Sequence, residues 1–202
     1  MEHSVWRMMS DLTPLAIAVL ALLRERPMHA YEMYQLLISR QNHRLVKVRP
    51  GSLYHTVERL ARHEYVRATG TERAGNRPER TTYEITPSGG EALTERVESG
   101  IEKFVYEYPL FPVMLSEAHN LDADDAVLRF RRRIEDLDHW LTDVDRAVAG
   151  ARATEVPEPY WMAADYVREQ VVAERAWLTK TIERIESKDL EWQPRKTHSK
   201  TQ

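Results

Sequence analysis

The sequence predicts a mainly α-helical chain interrupted by one small β-hairpin, and three observations carry that prediction. Apolar residues recur at helical spacing through most of the 202 residues. Strand-like alternation is confined to the stretch 65–86. Charge divides the chain: residues 1–90 hold 13 Lys and Arg against 9 Asp and Glu, a net of +4, whereas residues 91–202 hold 16 against 23, a net of −7. The overall net charge of −3 therefore conceals one part suited to a polyanion and one that is not.

Met1 to Ser10 has no period and reads as a loose arm. The apolar run Leu15 to Leu23 is too short to span a bilayer, follows Asp11 and has no small-x-small cleavage site. With Thr13 as N-cap and Pro14 as first helical residue it is instead a buried helix, ended by Arg26-Pro27. His29 to Arg40 is a second short helix with Tyr31, Tyr34, Leu37 and Ile38 on its apolar side. Leu53, Val57, Leu60 and Ala61 then place one side of a third helix in the core. Gly51, Ser52, His55, Arg59 and Arg62 gather on its other side, a compact, polar and positive face. Its N-terminal members are small, and free N–H groups at a helix N-terminus suit phosphate.

Tyr65–Thr69 and Arg80–Thr86 read as the strands of a hairpin, with Gly70, Gly75, Asn76 and Pro78 between them. Its loop carries Arg73 and Arg77, with Arg80 behind them. Three short helices followed by a basic hairpin are the order of a winged helix-turn-helix: the third helix enters a major groove and the wing meets the backbone beside it. Arg59 is the candidate for a bidentate contact to guanine. Arg62, Arg73, Arg77 and Arg80, with His29 and His55, are candidates for phosphate.

Thr86-Pro87 starts a helix with Leu93, Val97, Ile101, Phe104 and Tyr108 at near-helical steps, broken by Pro109 and Pro112. From there to Ser187 the chain reads as wholly helical. Asp122 caps a long helix in which Val127, Phe130, Ile134, Leu137, Leu141, Val144 and Val148 form a coiled-coil seam. After a break at Gly150–Pro159, a second helix carries Val171, Leu178, Ile182 and Ile185. Two such helices are expected to run antiparallel and to bury their stripes on each other and on a second copy of the chain. The domains expected are 1–108 (arm, winged helix and linker helix), 109–187 (helical dimerisation domain) and 188–202 (a disordered tail).

Other chemistries lack their residues. There is no cysteine, so disulfides and thiolate metal sites are excluded and a reducing cytoplasm is compatible. The eight histidines have no metal-ligand spacing and no H-E-x-x-H. Asp122, Asp124 and Asp125 lack the rest of a calcium loop and read as a helix N-terminus. Phosphate-cradling glycine motifs and a nucleophile elbow are missing, so neither an enzyme nor a cofactor is expected. Arg131-Arg132-Arg133 reads as a solvated helix face.

Leu15–Leu23, Met28-His29-Ala30-Tyr31-Glu32, Pro50-Gly51-Ser52-Leu53-Tyr54 and the run from Arg80 into Thr86-Pro87-Ser88-Gly89 resemble the PadR family of bacterial transcriptional regulators. The likeness covers residues 13–95 in order, with Ala30 where the family usually has glycine. The helical remainder is similar, by pattern and length, to the dimerisation domain of the longer members. The resemblance implies a homodimeric, cytoplasmic repressor whose partners are double-stranded DNA with an inverted repeat, a second copy of itself and a small aromatic or other effector. It places Tyr54 on a DNA-contacting tyrosine of the third helix. Phe104, Tyr108, Phe111 and Trp161, aromatic residues near the expected domain junction, are the candidates for an effector pocket. The alternative is a winged helix that binds protein and not DNA.

Overall fold

The computed structural model describes residues 12–72 and 80–193. The chain divides into two compact units, Met1–Tyr106 and Glu107–Gln202. In the first, the order is α1 (Pro14–Glu25), β1 (Met28–His29), α2 (Ala30–Ser39), a 3-10 turn (Asn42–Arg44), α3 (Pro50–Arg62), β2 (Val66–Glu72), β3 (Arg80–Ile85) and α4 (Pro87–Glu102). The sheet has the antiparallel order β1-β3-β2, with Met28 opposite Tyr83, Val66 opposite Ile85 and an irregularity between Ala68 and Gly70.

The hairpin expected as two strands is thus part of a three-stranded sheet. The added strand is two residues long and has no alternation for a sequence to display. Met28 earns its place by burial, as it is almost fully enclosed in the core. Around it pack Leu15, Val19, Leu20 and Leu23 of α1, Met33 and Leu37 of α2, Leu53, Val57 and Leu60 of α3, and Leu93 of α4.

Capping fixes where the helices begin and end. The Thr13 hydroxyl accepts from the Ala16 N–H at 3.3 Å, and that of Thr86 from the Gly89 N–H at 3.1 Å. Helix α3 ends in a Schellman arrangement: the Glu64 N–H bonds to the Ala61 carbonyl and the Tyr65 N–H to that of Leu60, with Glu64 left-handed at φ 58°. The start of α4 is strapped to this turn, because the hydroxyls of Thr86 and Ser88 both donate to the Glu64 carbonyl, at 2.7 and 3.1 Å.

Helix α4 is shorter than its apolar spacing predicts. It ends at Glu102, and Phe104 and Tyr108 lie beyond it. Pro109 is the N-cap of a new helix, α5 (Leu110–Ser116), which accommodates Pro112 in its first turn, where a missing N–H breaks no intrahelical bond.

The second unit continues with a 3-10 turn (Ala118–Asn120), α6 (Ala123–Ala153), another 3-10 turn (Glu158–Tyr160) and α7 (Met162–Glu186). Asp122 holds the N-cap position of α6 without a side-chain bond. Helices α6 and α7 run antiparallel. Arg131 pairs with Glu186 at 2.5 Å, Arg133 with Glu174 at 2.5 Å, Arg175 with Asp138, and Arg168 with Asp145 at 2.6 Å. Arg131 and Arg133 are therefore interhelical partners and not a merely solvated run. Exposed pairs of this kind each contribute little stability, but only one register satisfies all four.

The seam expected to be shared between the two helices and a second copy is largely buried within the chain. Phe130, Val144, Val148, Leu178, Ile182 and Ile185 are buried, and Val127, Ile134, Leu137, Leu141 and Val171 are partly buried. Each long helix supplies the cover for the other, so little of this stripe is left for a partner. Two residues of the segment expected as a disordered tail belong to the fold instead. Leu190 and Trp192 pack on the same core, with the Trp192 indole edge-on to Phe130 and its N–H donating to the Leu121 carbonyl at 2.8 Å. Residues 194–202, like the arm at 1–11, lie outside the described residues. No helix among the described residues is long and apolar enough to cross a membrane.

Candidate nucleic-acid interface

Helix α3 differs from its neighbours at its start. Helices α1, α3 and α4 all open on a proline, but α3 alone of the three has no side-chain cap: its N-cap is Arg49. The Gly51 and Ser52 amides are left with no capping side chain over them, and both residues are exposed. Such an end favours an anion through its N–H groups and the helix dipole. The chain leading in adds charge. Val46 and Val48 turn towards the core while Lys47 and Arg49 alternate outward and are exposed.

Along α3, about 100° per residue sets each side chain's direction. Leu53, Val57 and Leu60 define the buried stripe; Gly51, His55 and Arg62 lie nearly opposite it and are exposed. Tyr54 is on one flank, 49% exposed. Arg59 is on the other flank, half-buried, and its Nη2 donates to Oγ1 of Thr13 at 3.1 Å. The residue expected to read a guanine is thus engaged with α1. The face also carries a carboxylate, since Glu58 Oε2 lies 3.6 Å from His55 Nδ1.

Arg80 opens β3 at the loop end of the hairpin, opposite Glu72, and is exposed. Its guanidinium donates to His29 Nε2 at 3.3 Å and lies 5.9 Å from the Tyr31 ring centre. Arg73 and Arg77, assigned to the wing, lie outside the described residues. His29 is not on the open face; its ring is held between Glu32 and Arg80. Lys47 and Arg49 escaped the sequence reading, although the alternation of valine and cation from 46 to 49 was there to be read.

Of the four aromatics proposed for an effector, Phe111 and Trp161 do not meet within the second unit. Phe104 belongs to the first unit and is 90% exposed, and Tyr108 is 81% exposed. Phe111 lies under the Arg133 guanidinium at 3.5 Å, whereas Trp161 lies by Arg152 at 4.8 Å and donates to the Val156 carbonyl. Those two arginines are on one helix and, at about 1.5 Å per residue, roughly 28 Å apart. Among the described residues no group of His, Asp and Glu could hold a metal ion.

An uncapped, cationic helix end beside a three-stranded sheet with a projecting hairpin defines a winged helix-turn-helix protein. Residues 19–95 match the family model of the transcriptional regulator PadR-like family. That match places the N-terminal unit in this family of transcriptional regulators, and the helical unit after it shares the fold of solved PadR structures. No curated protein matches the sequence. Among solved structures, the chain is similar to Bacillus subtilis PadR in complex with operator DNA, with a TM-score of 0.71 and 17% identity, covering 85% of this chain and 98% of that one. The same protein in complex with p-coumaric acid gives 0.67 and 14%, covering 87% and 97%. A PadR-like transcriptional regulator from Bacillus cereus gives 0.61 and 18%, covering 84% and 94%.

Proposed function

We propose that the protein is a homodimeric, DNA-binding repressor of transcription. The observation that carries this reading is the outward face of α3, where an uncapped N-terminus, the small residues Gly51 and Ser52, and the exposed cations Lys47, Arg49 and Arg62 share one approach. Phosphate sits at the helix end, and Tyr54 and His55 reach towards base edges. In a two-fold dimer the two α3 helices enter successive major grooves about 34 Å apart and read an inverted repeat. The fold is that of a protein solved with operator DNA, which supports this use of the face.

The partner copy meets apolar surface that the α6–α7 core leaves open. Met162, Tyr166 and Trp177 fall along one side of α7 and are at least half exposed. A small-molecule effector, the role p-coumaric acid suggests from the Bacillus subtilis complex, favours a dimer whose α3 helices have the wrong separation.

The test is binding of the full-length protein to DNA upstream of its own gene against a scrambled duplex, across a salt series, with Lys47→Ala, Arg49→Ala and Arg62→Ala alongside. Specific binding is expected, with the slope of log affinity against log salt reduced by about one for each lost phosphate contact. If selection from random DNA also yields no preferred site, and none of the three variants changes the slope, the face serves a protein partner instead.

A further inference from the structure

Arg80, at the loop end of the hairpin, is held by side chains of β1 and α2, and the use made of it here rests on the DNA-binding reading above. His29 follows the core residue Met28 in β1 and is also the N-cap residue of α2. Its register partner in β3 is Thr82, which places Arg80 two residues away on the diagonal, within reach of a long side chain. Both ring nitrogens are engaged. Nδ1 lies 3.1 Å from Oε2 of Glu32, and Nε2 lies 3.3 Å from Nη1 of Arg80.

These two contacts select one tautomer. A guanidinium only donates, so Nε2 must supply a lone pair; the proton is then on Nδ1, where the Glu32 carboxylate accepts it. Glu32 is itself fixed, because its other oxygen accepts from Arg26. That hydrogen bond, with the charge of Arg26 behind it, holds the Glu32 carboxyl below the usual carboxylate range. The result is a relay in which Arg26 donates to Glu32, His29 donates to Glu32, and Arg80 donates to His29. The Tyr31 ring lies beneath the Arg80 guanidinium, and its hydroxyl accepts from Gln35 at 3.1 Å.

The chemistry of this arrangement matters because, among the described side chains, the Arg80 guanidinium is bonded to an imidazole and not to a carboxylate. A paired arginine has its charge largely spent, whereas an arginine held by a neutral imidazole and an aromatic face keeps its full positive charge and its remaining N–H donors. Two anchors also remove much of the side-chain freedom that an exposed arginine otherwise loses on binding. Arg67, on β2, makes the contrast: it is paired with Glu84 of β3 at 2.5 Å.

We propose that His29 is a positioning residue for DNA binding: through Nε2, with Tyr31 beneath, it aims Arg80 at a backbone phosphate beside the groove that α3 enters. His29 itself does not touch the DNA. This replaces the direct phosphate contact expected of it from the sequence.

A double-mutant cycle on the full-length protein tests the coupling, with operator affinity measured across a salt series and a thermal melt for each variant. Arg80→Ala is expected to weaken binding and to lower the salt slope by about one. His29→Ala is expected to lose part of the same affinity, roughly three- to tenfold, and the double variant to bind no worse than Arg80→Ala alone. His29→Gln, which carries an acceptor out to the place of Nε2, is expected to restore binding. His29→Asn, which reaches only as far as Nδ1, is expected not to. A merely structural role would make Gln and Asn alike.

Losses that multiply in the double variant, or a gain in affinity from His29→Lys, would mean that His29 meets phosphate by itself and would overturn the proposal. Unchanged binding by Arg80→Ala, with a wild type that binds specifically, would also overturn it while leaving the DNA-binding function standing. A wild type with no preferred DNA removes that function and this inference with it.

Discussion

Arg59 and Thr13 are 46 positions apart in sequence and joined in the fold: Nη2 of the arginine donates to the hydroxyl that also caps α1. The bond ties the third turn of the candidate recognition helix to the start of the first helix. Arg59 is therefore a strut between two core helices as well as a cation near the open face.

Substituting it should separate two effects. Arg59→Ala is expected to destabilise the fold by about 0.5–1.5 kcal/mol, the usual net worth of such a bond. Arg62→Ala, on the fully exposed side, is expected to leave stability unchanged and to weaken DNA binding. Urea denaturation beside a binding curve distinguishes them. Equal stability of wild type and Arg59→Ala would show that the Thr13 bond is not held in solution.

Two adjacent glycines should respond oppositely to the same change. A Cβ on Gly89 would lie 2.0 Å from the Tyr65 carbonyl oxygen, a backbone atom that the Thr86 N–H also holds in place at 3.0 Å. Around Gly90 there is nothing within 4 Å. Gly89→Ala is expected to cost about 2 kcal/mol or more through forced backbone displacement, whereas Gly90→Ala is expected to gain up to about 1 kcal/mol of helix propensity. Thermal melts of the two variants would check the pair.

Gly51 is open space of another kind. A Cβ there meets nothing within 4 Å, so Gly51→Ala should fold at least as well as the wild type. If the helix end lies against phosphate, the added methyl group instead obstructs the approach of the DNA backbone. The expected outcome is an unchanged or slightly raised melting temperature with weaker operator binding. Unchanged affinity would move the phosphate away from the first turn of α3.

Acid should loosen the first unit through two carboxylates. Glu25 is held below the usual carboxylate range by its hydrogen bond from Arg40, and Glu32 by that from Arg26. A depressed folded-state value contributes stability above the unfolded carboxylate range and loses it as pH falls through the folded value. Melting temperature is therefore expected to be level from neutrality to about pH 5 and to fall below that. In the double variant Glu25→Gln, Glu32→Gln the fall should be shallower. The partial exposure of both pairs keeps the effect small.

The proposed dimer makes a claim about surface rather than core. Tyr166→Glu with Trp177→Glu changes the exposed side of α7 and leaves Leu178 and Ile182 packed. Light scattering is expected to show monomer, with helical circular dichroism unchanged. A persistent dimer would mean that a different surface joins the two copies.

Much of the fold could be read in one dimension because its signals are local. Thr13-Pro14 and Thr86-Pro87 cap helices where their residue types require it, and the 53, 57, 60 spacing selects the buried side of α3 without knowledge of a partner. The hairpin declared itself through β-branched residues around a glycine-rich turn. Where the signal was too short, as for Met28 and His29, a strand went unseen, since two residues acquire a strand's identity only from the β3 backbone they pair with.

The sequence by itself determined the order of elements, the amphipathic faces and the separation of a basic part from an acidic one, because periodicity and charge are properties of neighbouring residues. Only the tertiary structure decided what each face meets. It gave Arg59 to Thr13, His29 to Glu32 and Arg80, and the heptad stripe of α6 to α7 of the same chain. Long polar side chains reach several ångströms across a flank, and an apolar stripe specifies that it must be covered without specifying by what. Those choices depend on which segments the completed core brings side by side.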